Sequence, residues 1–216
     1  MAQKLHFRED LPIRPEPSLL ATDRIRILEQ ENRKLKITAR RLRQLAFVDG
    51  LTGLPNRRHF DTALHAEIRR ACRTGGPLGL AICDVDFFKR VNDESGHAAG
   101  DAVLRALGRI LDRQCRRGGD LAARYGGEEF ALLMPGLDSE EILVVADKIR
   151  EVIADSAIPI DRQGRSLRVT VSVGATSYAS VIPCLPAKLV QAADAALYSA
   201  KRNGRNRISF RSLTPA

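Results

Sequence analysis

The order of elements in this sequence implies an α/β fold, a mixed central β-sheet covered by helices, with one further helix ahead of it. Three observations carry that reading. Beyond residue 47, short apolar runs alternate with stretches of helical periodicity, the pattern of strands interleaved with helices. Gly126-Gly127 separates two of the runs directly, so one strand pair is a hairpin and the sheet is mixed. Upstream, residues 18–46 contain neither Gly nor Pro and carry a seven-residue apolar repeat.

Residues 1–17 hold Pro12, Pro15 and Pro17, which obstruct helix, and are expected to form a flexible arm. In residues 18–46, Leu28, Leu35 and Leu42 take heptad position d, with Ile25, Asn32, Ala39 and Ala46 at position a. An Asn at position a favours a paired, in-register dimer, because its amide is satisfied by its twin. In a parallel pair Arg24 would face Glu29 and Glu31 would face Lys36, both attractive. The alternative is a single amphipathic helix packed on its own domain, since so few heptads are marginal alone.

Residues 47–212 form the main domain. A helix over 56–73 stops at Gly75-Gly76, and a nearly continuous apolar run over 78–83 is a buried strand. Residues 98–116 are helical, with Val103, Leu104, Leu107, Ile110 and Leu111 on one face. Strands over 121–125 and 128–134 flank Gly126-Gly127, read as a two-residue loop needing positive φ. A helix over 139–154, a strand over 167–175, a helix over 186–201 and a strand over 207–210 complete the pattern.

At 216 residues the chain has room for one domain and an appendage. No apolar run is long enough to span a bilayer, and the first 20 residues lack the apolar stretch of a signal peptide, so a cytoplasmic location is expected. Cys72, Cys83, Cys115 and Cys184 lie far apart without metal-ligand spacing and read as reduced, packed thiols. The 35 basic residues outnumber 26 acidic ones, giving a formal charge of +9 that attracts anions such as nucleotides, phosphates or nucleic acid.

Asp84 and Asp86 stand where an apolar strand runs out, and Glu128 and Glu129 stand at the tip of the hairpin. On neighbouring strands these loci would bring carboxylates together at one sheet edge. Hard cations such as Mg²⁺ prefer carboxylate oxygens, and two of them can stabilise the attacking and leaving oxygens of an in-line phosphoryl displacement. Solvated Asp-rich strand ends are the alternative.

Four ordered segments are similar to one known family: DGLTGLPNRR (49–58), DVDFFK (84–89) followed by Asn92-Asp93, Gly96-His97 and Gly100-Asp101, then Gly126-Gly127-Glu128-Glu129-Phe130, and ADAALY (193–198) followed by Ala200-Lys201 and Gly204-Arg205-Asn206. Together they resemble the GGDEF family of diguanylate cyclases over residues 47–210. The resemblance implies a palm-like fold of the nucleotidyl-cyclase and polymerase type, and condensation of two GTP into cyclic di-GMP with two pyrophosphates. It implies two Mg²⁺ (or Mn²⁺) per site, on Asp84, Glu128, Glu129 and the Val85 carbonyl. Glu128 would promote deprotonation of the ribose 3′-hydroxyl, with Glu129 assisting, and Lys89 would stabilise charge on the transferring phosphate. Backbone amides near Phe87 and Phe88 would cradle the triphosphate, Lys201 and Arg205 its terminal phosphates. Asn92 and Asp101 match the guanine-recognising positions, and a carboxylate suits guanine's ring N–H and amino donors. His97 matches a position near the nucleotide, or is a turn histidine with a structural hydrogen bond. Gly126 and Gly127 would let base and ribose approach the backbone.

Arg117 and Asp120, an RxxD separated from the glycine pair by five residues, resemble the family's inhibitory site for its product, against the alternative of a surface charge pair. Arg73 is a candidate for an arginine supplied to that site by another protomer. Because one domain holds one GTP, the resemblance implies a homodimer, or a tetramer, joined by the parallel coiled coil. Two rivals are weighed: a catalytically inactive cyclic di-GMP receptor, disfavoured by intact motifs, and a leucine-zipper DNA binder. In the latter the basic stretch precedes the zipper, whereas Lys34, Lys36, Arg40, Arg41 and Arg43 lie within or after the heptads. Neither nucleic acid nor membrane insertion is therefore expected.

Overall fold

The computed structural model describes residues 19–161, 163–179 and 184–213, so the arm expected over residues 1–17 lies outside the described residues. The chain divides into two units between Arg43 and Gln44. Helix α1, Leu19–Phe47, matches the helix expected over 18–46. Along it Ile25, Leu28 and Leu35, three of the heptad a and d residues, are more than half exposed, and Asn32 between them is exposed too.

In the second unit α2, Arg57–Thr74, begins where the Asn56 side chain accepts the His59 N–H at 3.1 Å and ends at Gly75 in the left-handed region, φ 69°. These are the N-cap and C′ preferences of helices. Phe60, Leu64, Ile68 and Ala71 form its buried stripe. Strand β1, Leu78–Val85, is buried at every residue. It leads into α3, Phe88–Ser95, and α4, His97–Gln114. Strands β2, Leu121–Arg124, and β3, Glu129–Pro135, follow. Then comes α5, Ser139–Asp155, opened by a capping box between Asp138 and Glu141. Two short strands, β4, Ile158–Pro159, and β5, Ser166–Leu167, pair with each other. Finally β6, Val171–Tyr178, α6, Pro186–Arg202, and β7, Ile208–Phe210, complete the chain.

The main sheet has the order β2-β3-β1-β6-β7, antiparallel throughout except for the parallel β6–β7 pair. It is the mixed sheet that the sequence implies. Side chains alternate across it, so each face builds its own core. One core packs Cys83, Val103, Leu107, Phe130, Ile149 and Val173, and the other packs Phe60, Leu64, Leu80, Ile82, Leu133 and Leu197. The thiols are free, as expected, and burial pushes those of Cys83 and Cys115 up to about 12.

Two expectations need correction, and one helix is new. Residues 167–175 are not one strand, because Ser166–Leu167 pairs with Ile158–Pro159 while β6 starts at Val171, opposite Val85. A further helix, α3, which local periodicity does not announce, lies between the first strand and α4. Gly126-Gly127 is not a two-residue loop with positive φ. Neither glycine lies in the left-handed region, and the strands part at Arg124 and Phe130, with the Tyr125 and Gly126 N–H groups both donating to Glu129 O. That wider turn needs no left-handed residue.

Candidate active site

The register of β1 against β3 places Asp84 directly opposite Glu129. One residue on, the Val85 N–H donates to Glu128 O at 3.3 Å. The strand end and the hairpin tip, separate loci in the sequence, are thus neighbours on adjacent central strands. Asp84 is 7% exposed and forms an ion pair with Lys201, Nζ to Oδ2 at 2.8 Å. Lys201 is rooted in the last turn of α6, and its flexible stem carries the ammonium to that carboxylate.

Burial pushes the Asp84 carboxyl above the ordinary range, with Lys201 opposing. Burial also raises Glu128 and Glu129, and the Asp84 charge raises both further. Carboxylates so arranged favour any added cation. Among the described residues no three acidic, His or Cys side chains enclose an ion by themselves. Mg²⁺ is bound through one or two carboxylates and completed by waters and substrate phosphates, and the facing Asp84 and Glu129 offer such a pair. The residues fit the group.

A pH dependence follows. Groups with raised folded-state pKa subtract from stability above that pKa, and the penalty is relieved as pH falls through it. Mg²⁺ relieves the same repulsion, so the rise in Tm on adding Mg²⁺ is expected to be larger at about pH 8 than at about pH 5, where protons compete. Thermal melts at the two pH values check this; equal shifts would contradict it.

The hairpin tip is held from behind. Arg124 Nη1 donates to both oxygens of Asp49, at 3.1 and 3.2 Å, while Nε and Nη2 reach the Gly127 carbonyl at 3.2 and 2.7 Å. Burial works against the Asp49 charge, yet the bonds from Thr52 and Arg124 hold its carboxyl below the usual range. Sequence reasoning missed Arg124, whose only signal was its place next to the hairpin. At Gly126 a Cβ would stand 2.5 Å from Glu129 Oε2, so the glycine makes room for that carboxylate, whereas a Cβ on Gly127 would meet open space.

The loop after β1 turns through Phe87, which has φ 56° and is 61% exposed. Phe88, buried, opens α3; the Phe87 carbonyl accepts the Arg90 and Val91 N–H groups at 2.8 and 3.3 Å, and the Phe88 and Lys89 N–H groups precede this first intrahelical bond. Lys89 is exposed in that turn. Arg205 lies over the Phe87 ring at 4.4 Å. Gly96, φ 83°, lets the chain reverse between α3 and α4. Across that reversal the Asn92 side chain lies against Gly100, where a Cβ would be 2.0 Å from Asn92 Oδ1. Asp101 follows Gly100 and pairs loosely with Arg105, and His97 is exposed at the start of α4.

Arg117 and Asp120 close a turn after α4. The Arg117 N–H donates to Asp120 Oδ2 at 3.1 Å, and the Asp120 N–H to Arg117 O at 3.0 Å. Asp120 Oδ1 is buried without a hydrogen-bond partner among the described residues. The Arg117 side chain is exposed and free to turn outward. Arg73 is exposed at the end of α2. Its neighbour Arg70 comes closer to the turn, Nη1 being 3.7 Å from where a Gly119 Cβ would stand.

A family model described as "Diguanylate cyclase, GGDEF domain" matches residues 46–207. The chain belongs to the GGDEF family. Among its relatives is Diguanylate cyclase DgcP of Pseudomonas aeruginosa, 39% identical over 186 residues, which are 86% of this chain and 27% of that protein. Diguanylate cyclase A of Treponema denticola is 35% identical over 179 residues, 82% of this chain and 47% of that one. The chain therefore spans less than half of either relative. The coiled coil and GGDEF domain of DgcB from Caulobacter crescentus, solved in complex with c-di-GMP, superposes with a TM-score of 0.80 at 30% identity, covering 89% of this chain and 98% of that one. The mixed sheet of this GGDEF domain, covered by helices, is the family's palm-like fold.

Gly100 makes a test of the expectation that Asn92 contacts guanine. Ala is the better helix former, so Gly100→Ala is expected to leave folding intact while displacing the Asn92 amide. The expected result is GTP binding weakened about tenfold by titration calorimetry at unchanged Tm. Unchanged GTP affinity would contradict it.

Proposed function

We propose that this chain is a diguanylate cyclase that condenses two GTP into cyclic di-GMP and releases two pyrophosphates. The observation that supports this best is the pairing of Asp84 with Glu129 across β1 and β3, with Glu128 beside them and Lys201 on Asp84. Asp84, Glu128, Glu129 and the Val85 carbonyl would hold two Mg²⁺ or Mn²⁺, whose charge steadies the attacking and leaving oxygens.

Everything else falls to the chain itself. Glu128, its carboxyl raised by burial and by Asp84, accepts the proton of the ribose 3′-hydroxyl. The exposed ammonium of Lys89 compensates charge at the α-phosphate as the 3′-oxygen attacks and pyrophosphate departs. Amides around Phe87 and Phe88 orient the triphosphate, and Lys201 and Arg205 take its far end. Asn92 and Asp101 read guanine, with His97 at the rim of the cleft.

Each domain binds one GTP, so two domains face each other with their nucleotides antiparallel. The exposed Ile25, Leu28 and Leu35, with Asn32 in register, support a parallel pairing of α1 that raises the effective concentration of the two sites. The product returns to Arg117 and Asp120, where a guanidinium can bind guanine O6 and N7 and the Asp120 carboxylate can turn to accept from the opposite edge. An arginine from another protomer, Arg73 or Arg70, completes that site.

Incubation with GTP and Mg²⁺ tests the whole reading: one cyclic di-GMP is expected for every two pyrophosphates, and GTP left intact would overturn it. Arg117→Ala is expected to keep synthesis and weaken product inhibition by roughly 10- to 100-fold, the worth of a bidentate guanine contact. Inhibition as tight as in the parent would place the brake elsewhere.

A further inference from the structure

Asp86 belongs to the same stretch as Asp84 yet is engaged quite differently. It is 5% exposed, and its carboxylate accepts three hydrogen bonds. Ser172 Oγ donates to Oδ1 at 2.6 Å, while Thr170 Oγ1 at 2.7 Å and the Asn206 N–H at 3.0 Å donate to Oδ2. Its own N–H donates to Thr170 O at 2.9 Å. A carboxylate with its lone pairs so committed has little capacity left for a cation.

What Asp86 does hold is the turn after α6. Arg205 and Asn206 both have positive φ, 61° and 44°, a region that side-chain-bearing residues seldom enter. Two in succession persist only where their surroundings fix them. The fixing bonds are Arg205 N–H to Ala200 O at 3.1 Å, Asn206 N–H to Asp86, Arg150 Nη1 to Asn206 Oδ1 at 3.1 Å and Arg207 Nε to Arg205 O at 3.2 Å. Only the second ties the turn to the loop joining β1 and α3. With the turn so held, the Arg205 guanidinium stacks 4.4 Å from the Phe87 ring centroid.

We propose that Asp86 is a positioning residue that, by receiving the Asn206 N–H, aims Arg205 at the terminal phosphates of the bound triphosphate. The inference rests on the diguanylate cyclase reading of the site. Released from Asp86, the turn relaxes toward negative φ and Arg205 leaves Phe87. The loss then falls on the far end of the triphosphate, because guanine is assigned to Asn92 and Asp101 on α3 and α4.

The test uses the full chain with Mg²⁺ and two probes, 3′-deoxy-GTP, which lacks the attacking hydroxyl and so cannot react, and GMP, which lacks the terminal phosphates. Asp86→Asn is expected to weaken 3′-deoxy-GTP roughly tenfold and leave GMP unchanged. Arg205→Ala should show the same selectivity, and the double variant should lose no more than Arg205→Ala alone. Equal weakening of both probes, or additive losses in the double variant, would reduce Asp86 to a structural role and overturn the proposal. Should Asp86→Asn fail to fold, Thr170→Val removes one donor and keeps the carboxylate. It is expected to weaken 3′-deoxy-GTP about threefold with GMP unaffected, and an unchanged preference would overturn the proposal. A parent that binds 3′-deoxy-GTP no better than 3′-deoxy-ATP would instead refute the diguanylate cyclase reading, a result separable from the others.

Discussion

Glu128→Gln is expected to lower cyclic di-GMP synthesis by about a thousandfold or more while Tm stays within a few degrees of the parent. Gln keeps the shape of Glu but loses the charge that would hold a cation and the basicity that would take the 3′-hydroxyl proton. Loss of a general base costs about 10² to 10⁴ in rate, and loss of a fixed charge at the reacting phosphate adds to it. Stability moves little, and if anything upward. Glu128 is half-buried, and burial with the Asp84 charge pushes its carboxyl up. Neutralising it removes repulsion from the folded state without opening a cavity. Rates from product chromatography, paired with thermal melts, check both halves; turnover within tenfold of the parent would remove Glu128 from its assigned role.

Gly174→Ala is the largest expected effect on the fold. A Cβ there would stand 2.1 Å from Leu197 N and 2.2 Å from Ala193 O, both backbone atoms of α6. No rotamer change relieves that contact; the helix itself must move off β6. Overpacking commonly costs 1–3 kcal/mol, and a clash with backbone is expected to reach about 3 kcal/mol or more, roughly 10 °C in Tm for a domain of this size. Since α6 ends at Arg202 and carries Lys201, the same shift withdraws the ammonium from Asp84. Any surviving folded fraction should bind GTP poorly. A variant as stable as the parent would mean that β6 and α6 are not packed as described.

How much of this was legible beforehand follows from the range of each determinant. The bounds of α2 are written locally, in Asn56 as cap and Gly75 as stop, and β1 in an unbroken apolar run. Helix α3 was not legible, because it is only eight residues long and Phe88 alone is buried among them. The strand read over 167–175 failed at Val171, since what divides β5 from β6 is a choice of partner, Ile158–Pro159 or Val85, that no local pattern records. The glycine pair signalled a hairpin correctly but not its shape; the wider turn is set by Tyr125 and Gly126 bonding to Glu129 and by Arg124 bonding to Gly127. The site shows the same division. Motif spacing singled out Asp84, Lys89, Asn92 and Glu128, whereas Arg124 and Asp86 owe their roles to partners as distant as Asp49, Thr170 and Asn206.

The shared cation is open to a measurement of its own. Free Mn²⁺ can be read by electron paramagnetic resonance while the parent, Asp84→Asn, Glu128→Gln and the double variant are titrated with 3′-deoxy-GTP present. If strand end and hairpin grip the same ions, each single change weakens Mn²⁺ binding about tenfold or more, and the double variant loses much less than the sum of the two. Strictly additive losses, or single variants that bind Mn²⁺ as the parent does, would mean that Asp84 and Glu128 hold no ion in common.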